Sequence, residues 1–351
     1  MHRTALSLLA ALTLACGGTV QIGEGDPTEA PAEDTELAVD TEPDATPDSD
    51  PTPPAGPLRD PSETGPFSIV ASSPSPTLST RTRVPLRVFL PEGDGPFPVV
   101  VFTHGFQLTS ANYRSYGRHL ASWGYVVIMP DLPGSLISAP THVELADELI
   151  ALLDWIEASP DALQAKADPG SLGMAGHSMG GKLSLLVATM DERVDAVFGV
   201  DPVDAGGNPF FEDPVGYPSV TPERMPDLLV PLGMVGETVN ATASLGPACA
   251  PREDNFQRYF AAAVSPVVAL EIVGANHMSF LDNPSCGLPC LACPAGTDDP
   301  ARTRALAQRY LTAFFELTLR GVTGYRSHLA GQAVQVEIDA GEVLLQVDNG
   351  F

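Results

Sequence analysis

From residue 67 onward, short apolar runs alternate with longer amphipathic stretches, and few folds accept that alternation. An apolar run of about four to eight residues suits a strand buried on both faces. A parallel strand reaches its neighbour only through a crossover of about a dozen or more residues, usually a helix. The pattern therefore predicts an α/β domain with a mostly parallel central sheet and helices on both faces. Strands are expected over 67–71, 84–90, 98–103, 125–129, 172–175, 196–200, 228–235 and 268–273. Helices are expected over 112–122, 142–157, 179–189, 252–262 and 302–319. The helix at 142–157 shows its period most clearly. Val143, Ala146, Ile150, Leu153 and Ile156 recur at three or four, while Glu144, Asp147, Glu148, Asp154 and Glu157 take the wet face. No internal repeat is visible.

Charge separates a different kind of segment from this domain. Residues 17–66 carry 13 Asp or Glu against one arginine, Arg59, interleaved with Pro and Thr, and so hold nearly half of the formal −26. Such a stretch buries too little apolar surface to offset its ordering entropy, so 16–66 is expected to be a disordered acidic linker and 67–351 the folded domain. The acidic balance also argues against nucleic acid as a partner, because phosphate binding needs a basic surface.

The first 15 residues read as a signal peptide: a short basic start at His2 and Arg3, then an apolar run through Leu14 that is too short to span a membrane as a helix. Cys16, placed directly after Ala15, resembles the lipobox cysteine of bacterial lipoproteins, although Thr13 stands where that pattern usually has an aliphatic residue. The expectation is an exported protein, either lipid-anchored through Cys16 with the acidic segment as a tether or cleaved after Ala15 and released. Excluding Cys16 leaves Cys249, Cys286, Cys290 and Cys293. Outside the cytosol an even set of four reads as two disulfides, with three pairings possible. A zinc cluster is the competing reading, but zinc ligands usually fall in two separated short-spaced couples, and three of these cysteines crowd one loop. No metal is expected.

Two stretches stand outside this pattern. Residues 205–226, rich in Gly and Pro and holding Phe210, Phe211 and Tyr217, read either as an irregular connection or as a lid over the site. The extension 321–351 alternates weakly, with Val334, Val336 and Ile338 and then Val343, Leu345 and Val347, which suggests a terminal hairpin turning at Ala340 and Gly341.

The chemistry gathers at strand ends. Gly176, His177, Ser178, Met179 and Gly180 form GxSxG between an expected strand and an expected helix. That context suits a serine nucleophile projected from a sharp turn, whose small neighbours permit the strain. The tetrahedral intermediate places negative charge on the former carbonyl oxygen. Donors for it are expected from the Met179 amide and from the Phe106 amide in the turn after the strand at 98–103. His104 in that turn precedes the serine, whereas the chain order of such sites is serine, acid, histidine. His277, on the loop after the strand at 268–273, is therefore the expected base; His119, His142 and His177 read as surface or helix residues. Three carboxylates could orient it: Asp201 at the end of the strand at 196–200, which is preferred, Asp204 three residues on, and Glu237 after the next strand.

With these residues in place the chain resembles the chlorophyllase branch of the α/β hydrolases, and more distantly platelet-activating-factor acetylhydrolases and cutinase-like polyesterases. The resemblance rests on GHSMGGK (176–182), GVDPVD (199–204), ACAP (248–251) and NHMSFLD (276–282). It implies the α/β-hydrolase fold, Asp201 as the acid, His277 as the base and Cys249 as a family cysteine. The chain departs from the family's usual GHSRGG by Met179, and Asn276 stands where a glycine usually precedes the histidine. The resemblance implies hydrolysis of a lipophilic carboxylic ester through an acyl-enzyme on Ser178, with no cofactor. The competing readings are a polyesterase or lipase working on an insoluble ester, which would favour an acid on the later strand, and a non-catalytic surface binding protein on the same fold.

Overall fold

A computed structural model describes residues 58–134, 140–205, 213–241, 248–285 and 293–351. Nine strands among the described residues form one sheet: β1 (Ile69–Ser72), β2 (Leu86–Pro91), β3 (Phe97–Thr103), β4 (Val126–Pro130), β5 (Ala167–His177), β6 (Ala196–Val200), β7 (Leu232–Glu237), β8 (Val267–Ile272) and β9 (Val343–Asp348). Their order is β1-β2-β4-β3-β5-β6-β7-β8-β9. Strands β3 to β8 run parallel, while β1, β2 and β9 close the two edges antiparallel.

The apolar runs are buried on both faces, as a parallel sheet covered by crossover helices requires. Along β3, Val99 and Val101 enter one core, and Val100 and Phe102 enter the other. The first core takes α2 (His142–Ala158), α3 (Met179–Ala188) and α4 (Phe256–Ala262). The second takes α1 (Arg114–Ser122) and α5 (Pro300–Thr318), with Tyr116, Tyr310 and Phe314 packed on the sheet. Helix α2 starts at a capping box: Thr141 accepts from the Glu144 amide, and Glu144 reaches back to accept from the Thr141 amide. This is the α/β-hydrolase fold. Its topology sends the carboxyl ends of β3, β5, β6, β7 and β8 to one edge of the sheet, where ligand sites of such sheets form.

Several expected boundaries move. The helix expected from 252 begins at Phe256, capped by the Asn255 side chain, because residues 251–255 close a turn in which the Asn255 amide donates to the Pro251 carbonyl. The strand expected from 228 begins at Leu232, since a 3₁₀ turn at Met225–Asp227 and Pro231 intervene. The terminal hairpin does not form. Residues Gln332–Asp339 are helix α7, which follows the short helix α6 (Ser327–Ala330), and β9 pairs with β8 instead. The apparent alternation was an i, i+4 pair, Val334 and Ile338, with an apolar residue between them: Val336 is 69% exposed.

The domain also starts before the expected boundary at 67. Residues 58–66 lie against α1 and the tail. Trp123 Nε1 donates to the Glu63 carbonyl at 2.9 Å, the Gly65 amide donates to Ser122 Oγ at 2.8 Å, and Tyr325 OH donates to the Arg59 carbonyl at 3.2 Å. A segment poor in apolar groups can still dock through its backbone when neighbouring side chains supply partners. Cys16 and the rest of 1–57 lie outside the described residues. Among the described residues no helix is long and apolar enough to cross a membrane.

Candidate active site

Strand β5 ends at His177, and the chain turns sharply into α3 through Ser178, whose backbone stands at φ 56°, ψ −123°. That conformation is strained for a residue with a Cβ and persists only where the surroundings enforce it. Here the Ser178 amide donates to the Val200 carbonyl and the Ser178 carbonyl accepts from the Lys182 amide. The flanking glycines are required by close approach. A Cβ on Gly176 would lie 2.4 Å from the Gly180 backbone, and one on Gly180 would lie 2.2 Å from the Thr103 carbonyl oxygen. Ser178 is half-buried and its side chain makes no capping bond to α3, so the hydroxyl is not consumed by its own helix.

The next strand supplies Asp201. It follows Val200, which pairs with His177 across the sheet, so it sits beside the serine turn, also at positive φ (43°). His277, on a 3₁₀ turn (His277–Phe280) after β8, donates from Nδ1 to Asp201 Oδ2 at 2.6 Å, and both side chains are buried. Burial pushes the Asp201 carboxyl up, and the bond from His277 opposes that shift. The structure thus joins His277 to Asp201 and sets Ser178 at the end of the adjoining strand.

The other two carboxylates are engaged elsewhere. Asp204 is buried against Lys182, 3.2 Å away, and accepts from Ser219, Val220 and Thr221. Burial would raise its pKa, but Lys182 and these donors hold it below the usual carboxylate value. It locks the DPVD segment to α3 and to the chain returning at 219–221. Glu237, fully buried, accepts the amides of Val239 and Asn240. Burial and the charge of Asp201 push it up to about 9, so it is neutral near pH 7.

The remaining expected residues fall as follows. Phe106 lies in the turn after β3, 52% exposed, and Met179 is the first residue of α3, where helix geometry leaves the amide without an intrahelical partner. His104 is buried in the same turn, with Nδ1 against the Gly105 carbonyl and Nε2 accepting from the Leu132 amide, and burial lowers its pKa. His142 begins α2, buried, with Tyr217 edge-on at 4.9 Å, so the described end of the 205–226 segment packs on α2; Phe210 and Phe211 lie outside the described residues. His119 stays on α1, bonded to the Pro61 carbonyl. His177 differs from expectation. It is fully buried in the floor of the site, bonded to Tyr113 and to the His277 carbonyl. As the last residue of β5, a strand buried on both faces at this end, it turns its ring toward Tyr113, His277 and Phe280.

Cys249 and Cys293 form a disulfide, Cα to Cα 5.6 Å, between the loop after β7 and the chain beyond His277. These two sulfurs are therefore not zinc ligands; Cys286 and Cys290 lie outside the described residues. Among the described residues no cluster of three or more His, Cys, Asp or Glu is placed to hold a metal. With its ends 44 positions apart in sequence, this crosslink restricts the unfolded chain by about 4 kcal/mol in the chain-entropy model. The Cys249→Ser/Cys293→Ser double variant is expected to lose up to about that much unfolding free energy in urea titrations. An unchanged midpoint would show that the bridge adds nothing to stability.

A family model described as chlorophyllase matches residues 63–332. The chain belongs to the chlorophyllase family. Chlorophyllase-1 of Arabidopsis thaliana is 27% identical over 274 residues, 73% of this chain and 82% of that protein. Cutinase 1 of Thermobifida cellulosilytica is 25% identical over 215 residues, 61% of this chain and 73% of that one. The bis(hydroxyethyl) terephthalate hydrolase of Streptomyces coelicolor is 29% identical over 140 residues, 39% and 44% of the two chains. This chlorophyllase-family protein is, in general terms, a carboxylic ester hydrolase of the serine type.

Proposed function

We propose that this protein hydrolyses a lipophilic carboxylic ester through an acyl-enzyme on Ser178, with His277 as base and Asp201 as the carboxylate that orients it. The observation that carries this reading is the 2.6 Å bond from His277 Nδ1 to Asp201, buried beside a serine on a strained turn. A ring that gives its Nδ1 proton to Asp201 keeps Nε2 free as an acceptor, which is the tautomer a general base needs. His277 Nε2 takes the Ser178 proton as Oγ attacks the ester carbonyl. The resulting oxyanion is met by the Met179 and Phe106 amides. The imidazolium returns the proton to the departing alcohol; water, deprotonated by His277, then attacks the acyl-enzyme and releases the acid.

The half-exposed Phe106 ring at the mouth of this turn supports an apolar substrate group. A signal peptide over 1–15, with lipidation at Cys16, would place the enzyme outside the cytosol, and the Cys249–Cys293 disulfide supports an oxidising compartment. The test is covalent labelling. A fluorophosphonate should add a single label at Ser178, in protein that also turns over short p-nitrophenyl esters, and His277→Ala should slow the labelling strongly. Labelling elsewhere, or at equal rate without His277, would sink the proposal.

A further inference from the structure

The His277 peptide is held at both of its polar groups. Its amide donates to Asn240 Oδ1 at 2.8 Å, and its carbonyl lies 2.9 Å from His177 Nε2. The protons on the carbonyl side can be assigned by chemistry alone. Burial holds His177 well below its ordinary pKa, so the ring carries one N–H. A carbonyl only accepts, so that N–H is on Nε2 and Nδ1 is an acceptor. Tyr113 OH, 2.7 Å from Nδ1, must then donate to it, which leaves its oxygen to accept the Gly105 amide at 3.2 Å. A directed chain therefore runs from Gly105 through Tyr113 and His177 to the carbonyl of His277. Tyr113 and His177 are fully buried, so no water competes for these bonds. The ring of His177 also lies against that of His277, with centroids 4.5 Å apart.

The amide side is built as firmly. Asn240, fully buried, is fixed by its own amide to the Glu237 carboxyl at 2.8 Å, and its Nδ2 reaches the Pro294 carbonyl. Asn276 donates to the same carbonyl at 2.7 Å, and Cys293, the neighbour of Pro294, is tied to Cys249. The loops after β7, after β8 and at 293–298 thus meet at Asn240.

We propose that Tyr113 and Asn240 are positioning residues for ester hydrolysis, gripping the His277 peptide from its carbonyl and amide sides. Tyr113 also ties the base to the turn that carries Phe106. The inference rests on the roles given above to Ser178 and His277, and it assigns Glu237 a scaffold duty as the anchor of Asn240. Neither residue touches the reacting atoms. Their effect is on geometry, where a displacement of about 1 Å can cost on the order of 100-fold in rate.

The test uses the whole protein with p-nitrophenyl butyrate, its active sites counted with a fluorophosphonate so that misfolded molecules drop out. Tyr113→Phe removes a single oxygen, and Asn240→Ala removes the amide acceptor. Each is expected to lower kcat per titrated site on the order of 10- to 100-fold, while KM stays within about threefold because substrate contacts are intact. A purely structural role would reduce the number of titratable sites and the Tm but leave kcat per site unchanged, and that result overturns the proposal. So does a loss confined to KM. Should Asn240→Ala fail to fold, Tyr113→Phe decides alone. Ser178→Ala and His277→Ala run beside them: if His277→Ala keeps its activity the triad itself is wrong, whereas an inactive His277→Ala with normal Tyr113→Phe turnover removes the positioning role alone.

Discussion

Ser178→Ala is expected to lower kcat on a short p-nitrophenyl ester on the order of 10⁶-fold, as loss of the nucleophile does in other serine hydrolases, with unfolding free energy almost unchanged. Both halves follow from the geometry. The hydroxyl makes no capping bond to α3, so its removal leaves no helix amide newly unpaired. Alanine keeps the Cβ, so the strain at φ 56° is neither added to nor relieved. The bonds that hold the turn are backbone bonds, from the Ser178 amide to Val200 and from the Lys182 amide to the Ser178 carbonyl, and the substitution leaves them in place. Stopped assays on the variant, set against the parent at equal protein, measure the first half, and urea titration measures the second. Activity near that of the parent would remove Ser178 from the mechanism; a large stability loss would mean that the hydroxyl had an unrecognised structural partner.

The sheet was legible because burial on both faces forces β3, β4 and β6 to be uninterrupted apolar runs, and a run such as 196–200 has no other use. The positions of Ser178, Asp201 and His277 were legible for a related reason: a parallel sheet sends successive strand ends to one edge, so residues just past the strands are near one another whatever their distance in sequence. The tail was not legible, because Val334, Val336 and Ile338 satisfy both periods, and the choice between them is made by what Val334 packs on rather than by the segment itself. Tyr113, His177 and Asn240 were hidden in a different way. Each bonds to a residue far off in sequence, 64, 100 and 37 positions away. A buried tyrosine or asparagine with such a partner looks, in sequence, like any tyrosine at a helix start or asparagine in a loop. A signal did exist for His177, since it ends an apolar run read as a strand of a sheet buried on both faces.

Asp201 and Glu237 separate by their protonation. Asp201→Asn is expected to cost about 10⁴-fold in kcat, because an amide can hold the wrong imidazole tautomer and cannot stabilise the cation. Glu237→Gln is expected to cost less than about tenfold, since a carboxyl already neutral near pH 7 gives up no charge when it becomes an amide. Glu237 lies against the amides of Val239 and Asn240, and the Gln oxygen can still accept from them. The second substitution carries its own signature in stability. Glu237 keeps its proton in the folded protein up to about 9, whereas its ordinary value is 4.5. Between those limits the unfolded chain binds fewer protons than the folded one, so this group makes stability fall as pH rises through that window. Glu237→Gln removes that slope and should therefore gain on the parent progressively from about pH 5 to about pH 9, which urea titrations across the range would read. If instead Glu237→Gln is nearly inactive while Asp201→Asn is not, the orienting carboxylate belongs to the later strand. A Glu237→Gln variant whose stability runs parallel to the parent's over the same window would mean that Glu237 is ionised beside Asp201, and the reason for preferring Asp201 would then rest on the 2.6 Å bond to His277 alone.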